Sequence, residues 1–421
     1  MQDNFNKTAL DNGIRIVSKR VPHARSVAMG VWVNVGARDE RPEESGLSHF
    51  IEHMIFKGTE KRTAVQIAKE FDAIGGQSNA FTSKENTCYH AKVMDAYLNT
   101  MVDLLTDIFL NSVFDAQEVE RERQVVLQEI RMLEDSPDEY VHVLLAQSVW
   151  GNHPLGRPIL GSPKTVARFN SATAKEYFSR LYQPERIVIA AAGNLEHDSF
   201  AELVAQSFEV VGKADGFPER IVPDMNRVIS VHPKDLEQVH VCIGAKGVHA
   251  TDPRRYACAV LNTILGGNMS SRLFQEIRER RGLAYAVYSF LSLYSDTGTW
   301  GAYVGVDNSN TEQVVEVIAR EMKRAKDEPV DSSELTNAKQ YLKGGLYLGA
   351  ESTDNQMTRI AQNEITFGRF VPLKEVEDKV EEVTAEQILE VAREIFQNDR
   401  VSLTLLGPVD RDASYEEALS L

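Results

Sequence analysis

Internal repetition narrows the fold of this chain more than any other feature. The stretch ERIVIAAAGNLEHD (185–198) returns as DRVSLTLLGPVDRD (399–412), placing Gly193 and Gly407 at matching positions. Each glycine closes an apolar run that follows an amphipathic helical pattern, ATAKEYFSRLY in one half and AEQILEVAREIF in the other. SVAMGVWVNVGARDE (26–40) likewise parallels QVHVCIGAKGVHATD (238–252). Self-similarity with a period of about 210 residues predicts two copies of one α/β plan. A chain of 421 residues also exceeds one ordinary core. GKADGFPERIVPDMN (212–226), with two Gly and two Pro, reads as a connection. The expected domains are therefore 1–212 and 227–421, joined by a linker over 213–226. Val27, Val31 and Val33 alternate with their neighbours as in a half-buried antiparallel sheet, and the long helices carry apolar stripes. The expected fold class is α+β: two homologous α/β sandwiches, each an antiparallel-rich sheet with helices packed on one face.

The two copies differ in chemistry. Residues 49–53 read HFIEH within SGLSHFIEHMIFKGT, where Leu47, Phe50, Ile51, Met54 and Ile55 keep helical intervals. Ser45 is the expected N-cap and Gly58 follows the last periodic residue. Residues four apart share a helical face, so His49 and His53 can address one atom. Glu52 leans toward the same point. Two imidazoles with a carboxylate beside them supply metal ligands and a base, in the inverted order H-x-x-E-H. The matching stretch of the second copy, YACAVLNTILGG (256–267), has no histidine or acid.

A catalytic zinc usually takes a third protein ligand. The predicted helix DAQEVERERQVVLQEIRMLED (115–135) places Glu118, Glu122 and Glu129 on one narrow arc beside Val125, Val126 and Ile130. Spacing alone leaves the choice among the three open. It also leaves open a solvated face of Glu–Arg pairs using Arg121, Arg123 and Arg131.

Three stretches together, HFIEHMIFKGT, AIGGQSNAFTSKENTCYH and ERERQVVLQEI, resemble the pitrilysin family of zinc peptidases. The branch they most resemble is the mitochondrial processing peptidase group with its bacterial relatives. NHPLGRPILGS (152–162) and RERRGLAYAVYSF (278–290) extend the resemblance along the chain. It implies one Zn2+ per chain, held by His49, His53 and Glu129, with Glu122 supporting from behind and Glu52 as general base. It implies that backbone groups at Asn79 and Ala80 bind an extended peptide on a strand edge. It further implies that Arg278 and Tyr285 complete the active site, from a partner subunit in two-domain chains. The expected activity is that of a metalloendopeptidase cutting extended, basic peptides or unfolded segments inside a dimeric chamber. A homodimer is expected and a heterodimer is the alternative. A non-catalytic scaffold or partner subunit of the same fold is the rival reading, though all three ligands and the base are present.

Composition trims the remaining options. A net charge of −16 argues against nucleic-acid partners and suits basic peptides. No apolar run approaches membrane-spanning length. The start MQDNFNKTALDNGIRIV lacks a basic region followed by an apolar one, giving the expectation of a cytoplasmic protein of bacterial type. Cys88, Cys242 and Cys258 form no close pair, which fits a reducing compartment. His153 sits in a Pro- and Gly-rich loop and reads as a packing residue. TILGGNMSSRLF (263–274) lacks the lysine of a phosphate loop, so nucleotide binding is rejected.

Overall fold

A computed structural model describes residues 4–209, 211–212, 217–410 and 414–421. Part of the expected linker, 213–216, lies outside the described residues. The first half runs β1 (Phe5–Ala9), β2 (Arg15–Arg20), β3 (Ser26–Val33), α1 (Leu47–Ile55), α2 (Ala64–Ala73), β4 (Gln77–Thr82), β5 (Thr87–Met94), α3 (Leu98–Leu110), α4 (Ala116–Glu134), α5 (Pro137–Trp150), α6 (Pro163–Val166), α7 (Ser171–Leu181), β6 (Ile187–Gly193) and α8 (His197–Phe208). The second runs β7 (Ile229–Pro233), β8 (Val239–Gly247), α9 (Arg255–Gly266), β9 (Ala284–Leu293), β10 (Gly298–Val306), α10 (Thr311–Asp327), α11 (Ser332–Gly349), α12 (Thr353–Phe367), α13 (Leu373–Glu381), α14 (Ala385–Ile395) and β11 (Val401–Gly407).

The strands form two sheets, ordered β1-β2-β6-β3-β5-β4 and β7-β11-β8-β10-β9. Each holds one parallel pair, β2 with β6 and β7 with β11, among antiparallel neighbours. Aligned this way, β2, β6, β3, β5 and β4 match β7, β11, β8, β10 and β9 in turn. The fold is thus α+β and duplicated. The duplication reaches single backbone angles. Gly193 and Gly407 have φ of 145° and 150°. A Cβ at either would lie 2.2 Å from the Ser26 carbonyl oxygen or 2.6 Å from that of Gln238. Only glycine fits so close to a neighbouring strand at that angle.

By contact the chain forms two compact units, and each draws on both halves. The first gathers Met1–Arg131, Arg157–Arg220 and Leu348–Pro372; the second gathers Met132–Gly156, Ile221–Tyr347 and Leu373–Leu421. Helices α5 and α12 have therefore changed places. In the first unit the helices α1, α3, α7 and α8 bury one face of the sheet in a core that includes Met29, Val31, Phe50, Ile51 and Met101. The other face, with Ala28, Trp32 and Val188, packs under Met357, Ile360 and Ala361 of α12. Trp32 donates its Nε1–H to Met357 Sδ at 3.2 Å, and Lys92 and Lys7 pair with Asp354 and Glu364 at 2.7 Å each. In the second unit Val141, Leu144 and Leu145 of α5 cover Cys242, Tyr303 and Leu406 in the same manner. The alternation in β3 predicted a half-buried strand. Instead all but its first residue is buried, because the exchanged helix covers the second face.

Candidate metal centre

The two histidines are placed by the way α1 begins. Ser45 was the expected cap, but the N-cap is Gly46, in the left-handed region at φ 97°. The capping acceptor comes from further back. The buried Glu40 carboxylate accepts from the N–H groups of Gly46 and Ser48, each at 2.8 Å. Negative charge at a helix N-terminus is favourable. Burial nevertheless dominates at Glu40, and its pKa rises to about 8 although these N–H groups pull it down. Leu47, Phe50, Ile51, Met54 and Ile55 lock the inner face of α1 into the core, leaving His49, Glu52 and His53 on the remaining face.

Helix α4 brings its acids to that face. Val119, Val126 and Ile130 bury one stripe of it, and Glu122 and Glu129 lie beside the stripe. The third acid on the arc, Glu118, pairs outward with Arg121. Three side-chain atoms converge: Nε2 of His49, Nε2 of His53 and Oε2 of Glu129. The nitrogens are 3.3 Å apart, and the oxygen lies 3.6 Å from His49 and 3.5 Å from His53. Among the described residues this is the sole cluster of three or more His, Cys, Asp or Glu close enough to share an ion.

The triangle fits zinc. Tetrahedral ligands about 2.0–2.1 Å from an ion stand about 3.3–3.4 Å from one another. Glu129 Oε2 is buried with no hydrogen-bond donor, an expensive state that a cation relieves. His53 Nδ1–H donates to Glu122 Oε2 at 3.0 Å, which turns Nε2 toward the convergence point. Glu122 is held in turn by Lys57 Nζ at 2.6 Å from Oε1.

The charges agree with this arrangement. Burial and the charge of His53 pull His49 down to about 4. Burial acts the same way on His53, but its hydrogen bond to Glu122 and the nearby Glu129 carboxylate outweigh it and raise the group to about 9. In the metal-free pair these shifts favour a single positive charge, on His53. Burial pushes Glu122 up, yet His53 and Lys57 together hold it below the usual carboxylate range. Glu129 is held low chiefly by the neighbouring His53, whose Nε2 stands 3.5 Å from its Oε2.

Glu52 stands on the same turn. Burial raises its pKa, opposed by a hydrogen bond from Thr82, whose Oγ1–H donates to Glu52 Oε2 at 2.5 Å. Asn79 and Ala80 lie with Thr82 on β4, an edge strand paired only with β5 among the described residues. The Ala80 N–H donates to Asn79 Oδ1 at 2.9 Å, so it points away from β5, along the free edge. Arg278 and Tyr285 belong to the second unit. They meet one another: the Arg278 guanidinium carbon is 4.5 Å from the Tyr285 ring centre, and Tyr285 is 79% exposed. His153 also belongs to the second unit, accepting from the Leu155 N–H at 3.2 Å.

Residue spacing did not single out Lys57 or Thr82. Lys57 follows His53 at the i+4 position, and Thr82 shares a strand face with Ala80. Both periodicities were in the sequence, but which acid each would meet depends on how α1, α4 and β4 pack.

Family models place the chain. Residues 15–163 match the insulinase model, peptidase family M16, and residues 168–342 match the M16 inactive-domain model. The chain belongs to peptidase family M16. The first M16 model covers α1 and α4, and the second runs from α7 of the first half into the copy that lacks the histidine pair. The uncharacterized zinc protease YmxG of Bacillus subtilis is 44% identical, covering 94% of this chain and 97% of that protein. An uncharacterized zinc protease of Streptomyces coelicolor is 38% identical over 97% of this chain and 91% of its own length. The crystal structure of a Helicobacter pylori protease superposes with a TM-score of 0.91 at 23% identity, covering 96% of this chain and 99% of that one, a likeness of fold. M16 membership carries a peptidase-type function. Among the described residues no helix is long and apolar enough to cross a membrane.

Proposed function

We propose that this protein is a zinc-dependent endopeptidase of the processing-peptidase type. The observation that carries the reading is the near-equilateral triangle of His49, His53 and Glu129 donor atoms. One zinc per chain would be held there. When bound, zinc acts as a Lewis acid that polarises the scissile carbonyl and makes water acidic. Glu52 takes the proton from the attacking water and passes it to the leaving amine. Glu122, braced by Lys57, keeps His53 turned to its task. An extended peptide adds to the free edge of β4, pairing with backbone at Asn79 and Ala80. Arg278 and Tyr285 stabilise the oxyanion and position the peptide, contributed by a partner copy as the resemblance implies. A full donor set and an Arg–Tyr pair in the same chain favour a homodimer. The net charge of −16 favours basic, unfolded segments as substrates and a cytoplasmic setting suits three free thiols.

The test is hydrolysis of a basic unstructured peptide by the purified protein, with metal content read from the same sample. Expected are about one zinc per chain, chelator-sensitive cleavage and activity that fades on dilution. Glu52→Gln should keep the metal and lose about 10²–10⁴-fold in kcat. Cleavage that survives the chelator, or a Glu52→Gln variant near wild-type rate, would sink the mechanism. Absence of both zinc and cleavage would favour the scaffold reading, whereas zinc without cleavage would point to a missing partner subunit or a very narrow substrate.

A further inference from the structure

We infer that Thr82 is a positioning residue: its hydroxyl fixes the Glu52 carboxylate and ties the base to the strand that receives the peptide. This inference rests on the function proposed above. Three observations on one short strand carry it. Thr82 Oγ1 lies 2.5 Å from Glu52 Oε2, a charge-assisted contact of the short, strong kind. Among the described residues this is the hydrogen bond that Glu52 makes, and it occupies one carboxylate oxygen and leaves Oε1 for a proton. Second, Thr82 and Ala80 stand two apart on β4, so their side chains share the face turned to α1. Ala80 packs against the core there, while Phe81 between them points to the opposite face, edge-on to Trp32 at 5.3 Å. Third, the Ala80 N–H faces the free edge, where an added strand would take it from the Asn79 side chain.

A strand rises about 3.3 Å per residue, so the edge group at Ala80 and the clamp at Thr82 are about 7 Å apart on one stiff element. A peptide in register with Ala80 is therefore in register with the base. Threonine suits the role. Its branched Cβ restricts χ1, so the hydroxyl is held in a few orientations. Misplacing a reacting group by about 1 Å can cost about 10²-fold in rate, and a Glu side chain released from one of its oxygens has that freedom.

The experiment compares Thr82→Val, which keeps shape and removes the hydroxyl, with Thr82→Ser, which restores it. Glu52→Gln runs alongside. Steady-state cleavage of the basic peptide, zinc content and a crystal structure of each variant are read together. Expected for Thr82→Val is a fall of about tenfold to hundredfold in kcat with KM and zinc content unchanged. Thr82→Ser should recover most of the rate. In the structures the Glu52 carboxylate should be turned in Thr82→Val and unmoved in Thr82→Ser. A raised KM at full kcat would overturn the inference by making Thr82 a peptide contact. Equal loss in both variants would overturn it by making the strand, not the hydroxyl, responsible. An unmoved carboxylate in Thr82→Val would overturn it without any turnover being measured. If Thr82→Val does not fold, Thr82→Ala takes its place under the same criteria. Full activity in Glu52→Gln would fell the proposed function instead, whatever Thr82 does.

Discussion

The two units share a five-strand plan, to which the first adds β1, and differ in contents. Strand order, the single parallel pair and the glycine that ends the β6 and β11 strands recur in both. Helix α1 offers two histidines and a glutamate, where α9 offers Cys258, Leu261 and Leu265 within an apolar core. Helix α4 offers Glu122 and Glu129. Its counterpart α11 carries Gly344 and Gly345, whose missing side chains would meet open space. What separates the candidate metal centre from the matching surface of the second unit is thus a handful of side chains on two helices and one strand. The sheet supports either. Folding physics is served by the residues that match, and chemistry by those that do not.

The comparison can be broken most directly by counting metal. Glu129→Gln or His49→Ala should drop zinc from about one per chain to near zero and abolish cleavage, as read by mass spectrometry and peptide assay. Two zinc ions per chain in the parent protein would mean that the second unit is not inert. Next in size, Lys57→Met should weaken zinc by about 10–100-fold in a chelator competition, because Glu122 loses the partner that keeps it aimed at His53. Unchanged affinity would make Lys57 a bystander.

A smaller effect follows from protonation. His53 in the metal-free protein is held charged up to about 9. Its pKa is raised, so below that value the metal must displace a proton. Apparent zinc affinity should then fall by up to about tenfold per pH unit as the pH drops from 9 toward 7. A flat profile over that range would mean the pair is already neutral. The smallest effect tests what the units share. Gly193→Ala and Gly407→Ala should each cost about 1–3 kcal/mol, since each puts a Cβ against a neighbouring carbonyl at positive φ. Thermal unfolding that spares one variant and not the other would show that the repeat is only skin-deep at these corners.

Much of this was legible in the chain. The duplication was, because it rests on strand and glycine patterns that local chemistry enforces. The histidine pair was, because i and i+4 are neighbours on any helix. The acid was legible only in part: spacing left Glu118, Glu122 and Glu129 equal, and the resemblance chose Glu129. In the structure Glu118 turns outward to Arg121 while Glu122 and Glu129 turn inward, a distinction set by which stripe of α4 is buried. The cap of α1 was misread because its acceptor, Glu40, is a side chain six residues before Gly46. The second cover of each sheet was not legible at all. An amphipathic stripe announces that a helix is buried, but not against which sheet.

That last feature bears on how the protein comes off the ribosome. When residue 212 has been made, every strand of the first sheet exists, yet the helix that covers Trp32, Ala28 and Val188 is about 140 residues from being translated. The nascent sheet must wait with one apolar face bare, a state open to aggregation and to capture by chaperones. A fragment ending at 212 inherits that state permanently and should be recovered insoluble or bound to a chaperone. Adding residues 348–372 as a separate chain should then rescue it.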